Sequence, residues 1–188
     1  DAPPPDRAAQ LSFVAALAVH DAVAGRVPGL ATRLALKWPN DCLIDGCKFA
    51  GILIEGEARA TAISIGINCV HHPADTAFPS TDLAAAGVRA SPDGVFATHA
   101  RAMSVPIGQW SRGDGFSVIR GDWLKRAFGV GRPIRVGLAG GERDSIFLPV
   151  WSVGATASSI ACMMVGTPAM TWTLPSVKPG AFETEFWM

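Results

Sequence analysis

Hydrophobic positions along the chain recur in two periods, and the changes of period mark out the elements. From Ala9 to Val23, Leu11, Val14, Leu17, Ala18 and Val23 fall on one helical stripe. Gly25 ends this predicted helix and Pro28 repeats the stop. Leu34 to Trp38 is a short apolar strand running into a Pro39-Asn40-Asp41 loop. Cys42-Leu43-Ile44 and Lys48 to Glu55 flank Asp45-Gly46, a pairing that predicts a tight β-hairpin because Gly tolerates positive φ. Thr61 to Val70 is a further strand with Gly66 inside it, and residues 71–92, with Pro73, Pro79 and Pro92, read as loop. A helix is expected from Gly94 to Trp110, kinked or broken at Pro106, and another from Phe116 to Ala127 with Ile119, Trp123 and Leu124 on one face.

Gly129-Val130-Gly131 reads as a linker. Beyond it, Pro133 to Val136 and Ile146-Phe147 alternate as short strands around Gly140-Gly141, the pattern of a small β-barrel appendage. The division expected is therefore residues 1–128 and 129–188. Between Ser145 and Val177 there is no Asp, Glu, Lys or Arg. Ser, Thr, Gly and Pro dilute the 150–172 stretch too far for a membrane helix, so no membrane partner is expected and the tail reads as divergent.

Composition narrows the class of protein. The apolar share of 49% supports a globular core, and 16 basic residues balance 16 acidic ones. With no net field, neither nucleic acid nor an anionic membrane is favoured as a partner. Cys42, Cys47, Cys69 and Cys162 form no metal-ligand spacing and read as reduced thiols of a cytoplasmic protein. The chain starts at Asp1 without a basic or apolar leader, and an N-terminal piece reads as lost or never included.

The chemistry-bearing residues gather between Lys37 and Asn68. Pro39 stiffens the strand exit, and Asn40 and Asp41 present polar side chains from a short loop. Lys48, just past the hairpin turn, offers a point charge to a phosphate or carboxylate lying over the sheet. Gly51 and Gly66, each inside an apolar strand, suit close approach of a ligand to the backbone, and Asn68 supplies both donor and acceptor groups. Taken singly, each is also explained by turn or bulge chemistry.

In order, Lys37-Trp38-Pro39-Asn40-Asp41, six residues, then Lys48-Phe49-Ala50-Gly51-Ile52-Leu53-Ile54-Glu55 resembles the signature KWPND…K-[LVF]-[AG]-G-I-L-x-E of biotin–protein ligases. Ile65-Gly66-Ile67-Asn68 is similar to the G-[IV]-G-[IV]-N strand of that family, and Pro79-Ser80-Thr81-Asp82-Leu83 to a later loop before a helix. The resemblance implies an α+β, class II synthetase-like fold: a mixed, mainly antiparallel sheet with packed helices and an SH3-like β appendage. It implies that biotin and ATP form biotinyl-5′-AMP, from which a lysine of a biotin carboxyl carrier domain takes the biotin. Lys48 is then the catalytic lysine, holding the biotin carboxylate and the α-phosphate. Gly51, Ile52 and Leu53 line the biotin pocket with Lys48. Asn40, Asp41, Gly66 and Asn68 attend the nucleotide, Asp41 meeting Mg²⁺ through it. A homodimer is the assembly expected.

The family's Gly/Arg-rich loop, of the form GRGRxGR, and the Ser/Thr-rich strand before it have no counterpart here, so the first part of the family's catalytic domain reads as missing. No helix-turn-helix segment is seen, which removes the basis for a DNA-binding role. His20, His71, His72 and His99 take no part in this account. Alternatives to an active ligase are a remnant that keeps the fold but binds weakly, and an interaction module that uses the apolar tail.

Overall fold

Asp45 and Gly46 both adopt positive φ, 51° and 80°, and Ile44 pairs directly with Cys47 across them. The two-residue turn is thus of the kind whose twist matches that of the strands it joins. Arg33 clamps it from outside, its Nη2 donating to Asp45 Oδ2 at 2.6 Å. The computed structural model describes residues 5–57, 60–76, 78–138, 141–147, 159–162, 170–173 and 186–187.

Four strands, β1 (Leu34–Lys37), β2 (Asp41–Ile44), β3 (Cys47–Glu57) and β4 (Ala60–Ile67), form one antiparallel sheet in chain order. The sequence predicts a mixed, mainly antiparallel sheet; among the described residues the parallel component is two isolated bridges, Leu36 with Ala127 and Lys48 with Ser80. The first covers the outer edge of β1, where Leu36 donates to Arg126 O and accepts from Phe128 N. An edge strand left with unpaired backbone groups would invite other chains.

Helix α1 (Pro5–Ala8) leads into α2 (Leu11–Ala24), which lies across one face of the sheet. The predicted one-sided stripe proves too narrow: Phe13, Ala15, Ala16, Val19 and Ala22 are buried along with Leu11, Val14, Leu17, Ala18 and Val23. A helix apolar all round belongs in the interior. Here α3 (Pro92–Trp110) and α4 (Phe116–Leu124) cover the side of α2 that the sheet does not. Ser91 caps α3 by accepting from Gly94 N at 3.1 Å, and Pro92 opens the helix, where a missing N–H costs nothing. Pro106 does not break α3, which runs on to Trp110 with Pro106 buried. Phe13 packs edge-on against Phe116 and Trp123, with ring centroids 5.4 and 5.2 Å away.

Alternation in β4 then divides the sheet. Ile63, Ile65 and Ile67 turn toward the helices, while Ala62, Ser64 and Gly66 face outward. Gly51, Leu53 and Gly66 lie on this outer, helix-free face, whereas Ile52, opposite Ile65, faces the helices.

Past Gly131, β5 (Pro133–Leu138) pairs antiparallel with β6 (Gly141–Ile146) on one side and β9 (Phe186–Trp187) on the other. The hairpin of β7 (Ser159–Cys162) and β8 (Met170–Thr173) stands as a separate sheet. The predicted second strand at 146–147 is displaced: β6 ends at Ile146, and Phe147 leaves the sheet to join the main core. Most of the uncharged tail lies outside the described residues. Among the described residues no helix is long and apolar enough to cross a membrane.

Candidate functional site

Strand register gathers the site into one line. Lys37 of β1 pairs with Asp41 of β2, Asp41 with Gly51 of β3, and Gly51 with Gly66 of β4. Residues directly opposite share a face of the sheet, so these four form a row across it. One end of the row is charged and the other is bare backbone. Lys48 joins them through a β-bulge. Asp41–Gly51 and Cys42–Ala50 are in register, but the next pair is Leu43–Lys48, so Phe49 is the extra residue. Strict alternation would put Lys48 on the face of Ala50 and Ile52, against the helices. The bulge instead turns the fully buried Phe49 inward and brings Lys48 over Gly51.

The charged end is an ammonium–carboxylate–ammonium arrangement. Asp41 Oδ1 lies 2.6 Å from Lys48 Nζ, and Asp41 Oδ2 lies 3.5 Å from Lys37 Nζ. The side chains of Lys37 and Asp41 are only 5% and 10% exposed, whereas that of Lys48 is 41% exposed. Of the two lysines, then, Lys48 is the one open to a ligand. Lys37 also sits 4.5 Å from the centre of the Phe78 ring. Burial pulls the Lys37 ammonium below its usual pKa range, and Asp41 opposes that shift. Behind the row, Cys42 is fully buried, and burial pushes its thiol well above the usual range, with Asp41 adding to the effect.

Two cations against one carboxylate leave the cluster with an excess positive charge, which suits a phosphate or carboxylate. A bare divalent cation fits poorly between two ammonium groups. Among the described residues no three His, Cys, Asp or Glu side chains come together as a metal cage.

At the other end of the row an open groove of about 400 Å³ is lined by Asn40, Gly51, Ile52, Leu53, Ser64, Ile65 and Gly66. Asn40 is fixed by reciprocal bonds, its Nδ2 donating to Ile52 O at 2.8 Å and its carbonyl accepting from Ile52 N at 2.9 Å. Pro39, which follows a cis peptide bond from Trp38, accepts a hydrogen bond from Ser12 Oγ at its carbonyl. A smaller apolar cavity of about 70 Å³ adjoins the groove between the start of α2 and the Trp38–Asn40 loop, walled by Phe13, Trp38 and Ile54.

Seven of the eight predicted residues thus meet at one place: Lys48, Asn40, Asp41, Gly51, Ile52, Leu53 and Gly66. Asn68 does not line the groove. Its Nδ2 donates to Thr81 O at 3.0 Å, its N–H to Phe49 O, and its carbonyl accepts from Leu83 N. It therefore ties segment 79–83 to β3, where Lys48 N donates to Pro79 O and Thr81 N to Lys48 O. Lys37 and Ser64 escaped the sequence reading. Lys37 could have been found in the same motif, and Ser64 by counting two residues back from Gly66 along the strand. Phe78 left no sequence signal, because only the fold brings its loop to β1.

No protein-family model matches the chain. It is 38% identical over 159 residues to the biotin–[acetyl-CoA-carboxylase] ligase of Paracoccus denitrificans, a match covering 79% of this chain and 65% of that protein. Against the enzyme of the same name from Mycobacterium tuberculosis it is 33% identical over 133 residues, 70% of this chain and 49% of the other. The chain therefore spans less than two thirds of the length of these curated relatives. Among solved structures, biotin protein ligase from Aquifex aeolicus in complex with biotin and ATP superposes with a TM-score of 0.69 at 18% identity, covering 89% of this chain and 69% of that one. Biotin protein ligase from Leishmania major in complex with biotinyl-5-AMP gives 0.57 at 18% identity, covering 86% and 70%. At such identities the likeness is one of fold.

Proposed function

Since the chain belongs to the biotin–protein ligase family, we propose that it condenses biotin with ATP to biotinyl-5′-AMP and passes biotin to a lysine of a biotin carboxyl carrier domain. The observation that carries this reading is the row Lys37–Asp41–Gly51–Gly66 with Lys48 over it. Both partners in the first step are anions, the biotin carboxylate and the α-phosphate, and Lys48 is the exposed cation beside a glycine-floored groove. As the carboxylate oxygen attacks phosphorus and pyrophosphate leaves, Lys48 offsets the charge gathering on the phosphoryl oxygens. Gly51, Ile52 and Leu53 form the wall that holds biotin. Gly66 leaves room for the nucleotide at the sheet surface, and Asn40 shapes the groove between the two.

Asn68 braces the segment that pairs with Lys48, and its side-chain oxygen and second amide N–H are the groups it would offer to the adenine edge. Mg²⁺ would come with ATP, offsetting phosphate charge, and Asp41 is the residue that would meet it through the nucleotide. The reaction needs no covalent protein intermediate, only placement and charge.

We assign residues 1–128 to the catalytic unit and 129–188 to a small SH3-like β domain, of which β5, β6 and β9 form one sheet. The unpaired thiols of Cys42, Cys47 and Cys69 support a cytoplasmic location.

Isothermal titration with biotin and then with biotin plus MgATP, together with assay of biotinyl-5′-AMP, tests the reading. Lys48→Ala is expected to abolish adenylate formation without loss of fold. Adenylate formation at the parental rate in that variant would refute the role of Lys48.

A further inference from the structure

Asp41 is nearly buried and is touched by two cations of unequal freedom. Lys48 Nζ, the closer at 2.6 Å, belongs to a side chain 41% exposed; Lys37 Nζ, at 3.5 Å, belongs to one only 5% exposed. Lys48 cannot serve an incoming anion fully while it remains the neutralising partner of Asp41. If it leaves, a carboxylate in this setting without another counter-ion would be strongly destabilised. Lys37 is fixed next to that carboxylate by the β1–β2 register and by its seat over the Phe78 ring, and it is too buried to reach the groove.

We propose that Lys37 is a positioning residue that acts as the standing counter-ion of Asp41, so that Lys48 can be handed from Asp41 to the anionic ligand. In the free protein Asp41 shares both ammonium groups and holds Lys48 over Gly51. When a carboxylate or phosphate enters the groove, Lys48 turns toward it and Lys37 alone neutralises Asp41. The count of buried unpaired charges stays at zero throughout. Without Lys37, Lys48 would be the sole partner of Asp41 and would be tied to it.

This inference rests on the ligase reading only for the identity of the anion. Its test therefore includes a measurement that needs no ligase activity: acylation of Lys48 by acetic anhydride at one fixed pH, read by mass spectrometry against exposed Lys125. Acylation requires the Lys48 amine to leave Asp41. Lys37→Met is expected to slow Lys48 acylation about tenfold relative to Lys125, and in an Asp41→Asn background the same change is expected to have almost no effect. Lys37→Gln, neutral but able to donate to Asp41, reads the same quantity if Met at this position unfolds the protein. An unchanged Lys48-to-Lys125 ratio in the folded variant overturns the proposal, as does an equal slowing with and without Asp41.

In the adenylation assay Lys37→Met should raise KM for biotin and ATP, with Asp41→Asn recovering part of the loss. A fold defect would instead lower the active fraction and leave KM unmoved. A parent chain that forms no biotinyl-5′-AMP overturns the ligase reading for this chain and leaves the acylation ratio to decide the role of Lys37.

Discussion

Gly51→Ala adds one methyl group on the outer face of β3, between Lys48 and Asp41. On the observed backbone the new Cβ would stand 3.3 Å from Lys48 Cε, 3.4 Å from Lys48 Nζ and 3.9 Å from Asp41 Oδ1. Non-bonded carbons settle at roughly 3.5–4.0 Å, so the end of the Lys48 side chain must retreat by a few tenths of an ångström. The group that yields is the tip of a flexible side chain, so the fold should lose less than about 1 kcal/mol, or about 2–4 °C in Tm. The reaction is less forgiving. A misplacement of about 1 Å at a catalytic group costs on the order of 10²-fold, so a shift a third to a half as large should lower kcat for adenylation about tenfold, or ~1.4 kcal/mol. Biotin-dependent pyrophosphate release from MgATP measures the rate, and a thermal melt checks the fold. Gly66→Ala is the control: its Cβ would meet no atom within 4 Å, so Lys48 stays in place and any loss should appear in KM. If Gly51→Ala kept its kcat within about twofold of the parent, the placement of Lys48 over Gly51 would be irrelevant to the chemistry and the reasoning would fail.

Two further predictions concern the scaffold. Trp110→Phe removes the indole N–H that donates to Gln10 Oε1 at 2.8 Å, in a place where Gln10 Nε2 already lacks a partner among the described residues. The variant should lose about 2 kcal/mol, seen by denaturant titration; an unchanged midpoint would show that this buried bond contributes nothing. Asp82 is held below the usual carboxylate range by the Ala85 N–H and then by His72, whose Nδ1 lies 2.7 Å from Asp82 Oδ2. A lowered folded-state pKa means that its contribution is complete above the unfolded value of roughly 3.9 and is lost as pH falls through the lower value. Asp82→Asn should therefore flatten the fall in stability below about pH 4, measured by denaturation at a series of acid pH values; an identical slope in both proteins would contradict it.

Much of the fold was legible because its signals are local. Asp45-Gly46 specifies its turn through its own backbone preferences, and the burial alternation of β4 can be read directly from Thr61 to Ile67. Ser91-Pro92 marks a helix start by the bonds these residues can and cannot make, although the sequence reading began that helix two residues later, at Gly94. Where local signals misled, a neighbouring element was the cause. The stripe expected on α2 widened to nearly the whole helix, Asp21 excepted, because α3 and α4 cover the side that the sheet leaves open. Pro106 removes one backbone donor, yet α3 continues through it to Trp110 with the proline itself buried and its neighbours exposed.

For the candidate site, the sequence by itself supplied the chemical inventory of Asn40, Asp41, Lys48, Gly51 and Gly66, while Lys37 stood in the same motif without being assigned a part. Tertiary structure decided how they meet. Register sets Lys37, Asp41, Gly51 and Gly66 in one row, and register is a property of paired strands rather than of any one segment. The bulge at Phe49 reverses the face that simple alternation gives to Lys48, because one extra residue in a strand exchanges inward and outward side chains beyond it. The burial that separates Lys37, a fixed counter-ion, from Lys48, a cation able to move, depends on Phe78 and the loop that carries it. Residues 41 positions apart in the chain touch there only because the sheet and its covering loop close on each other.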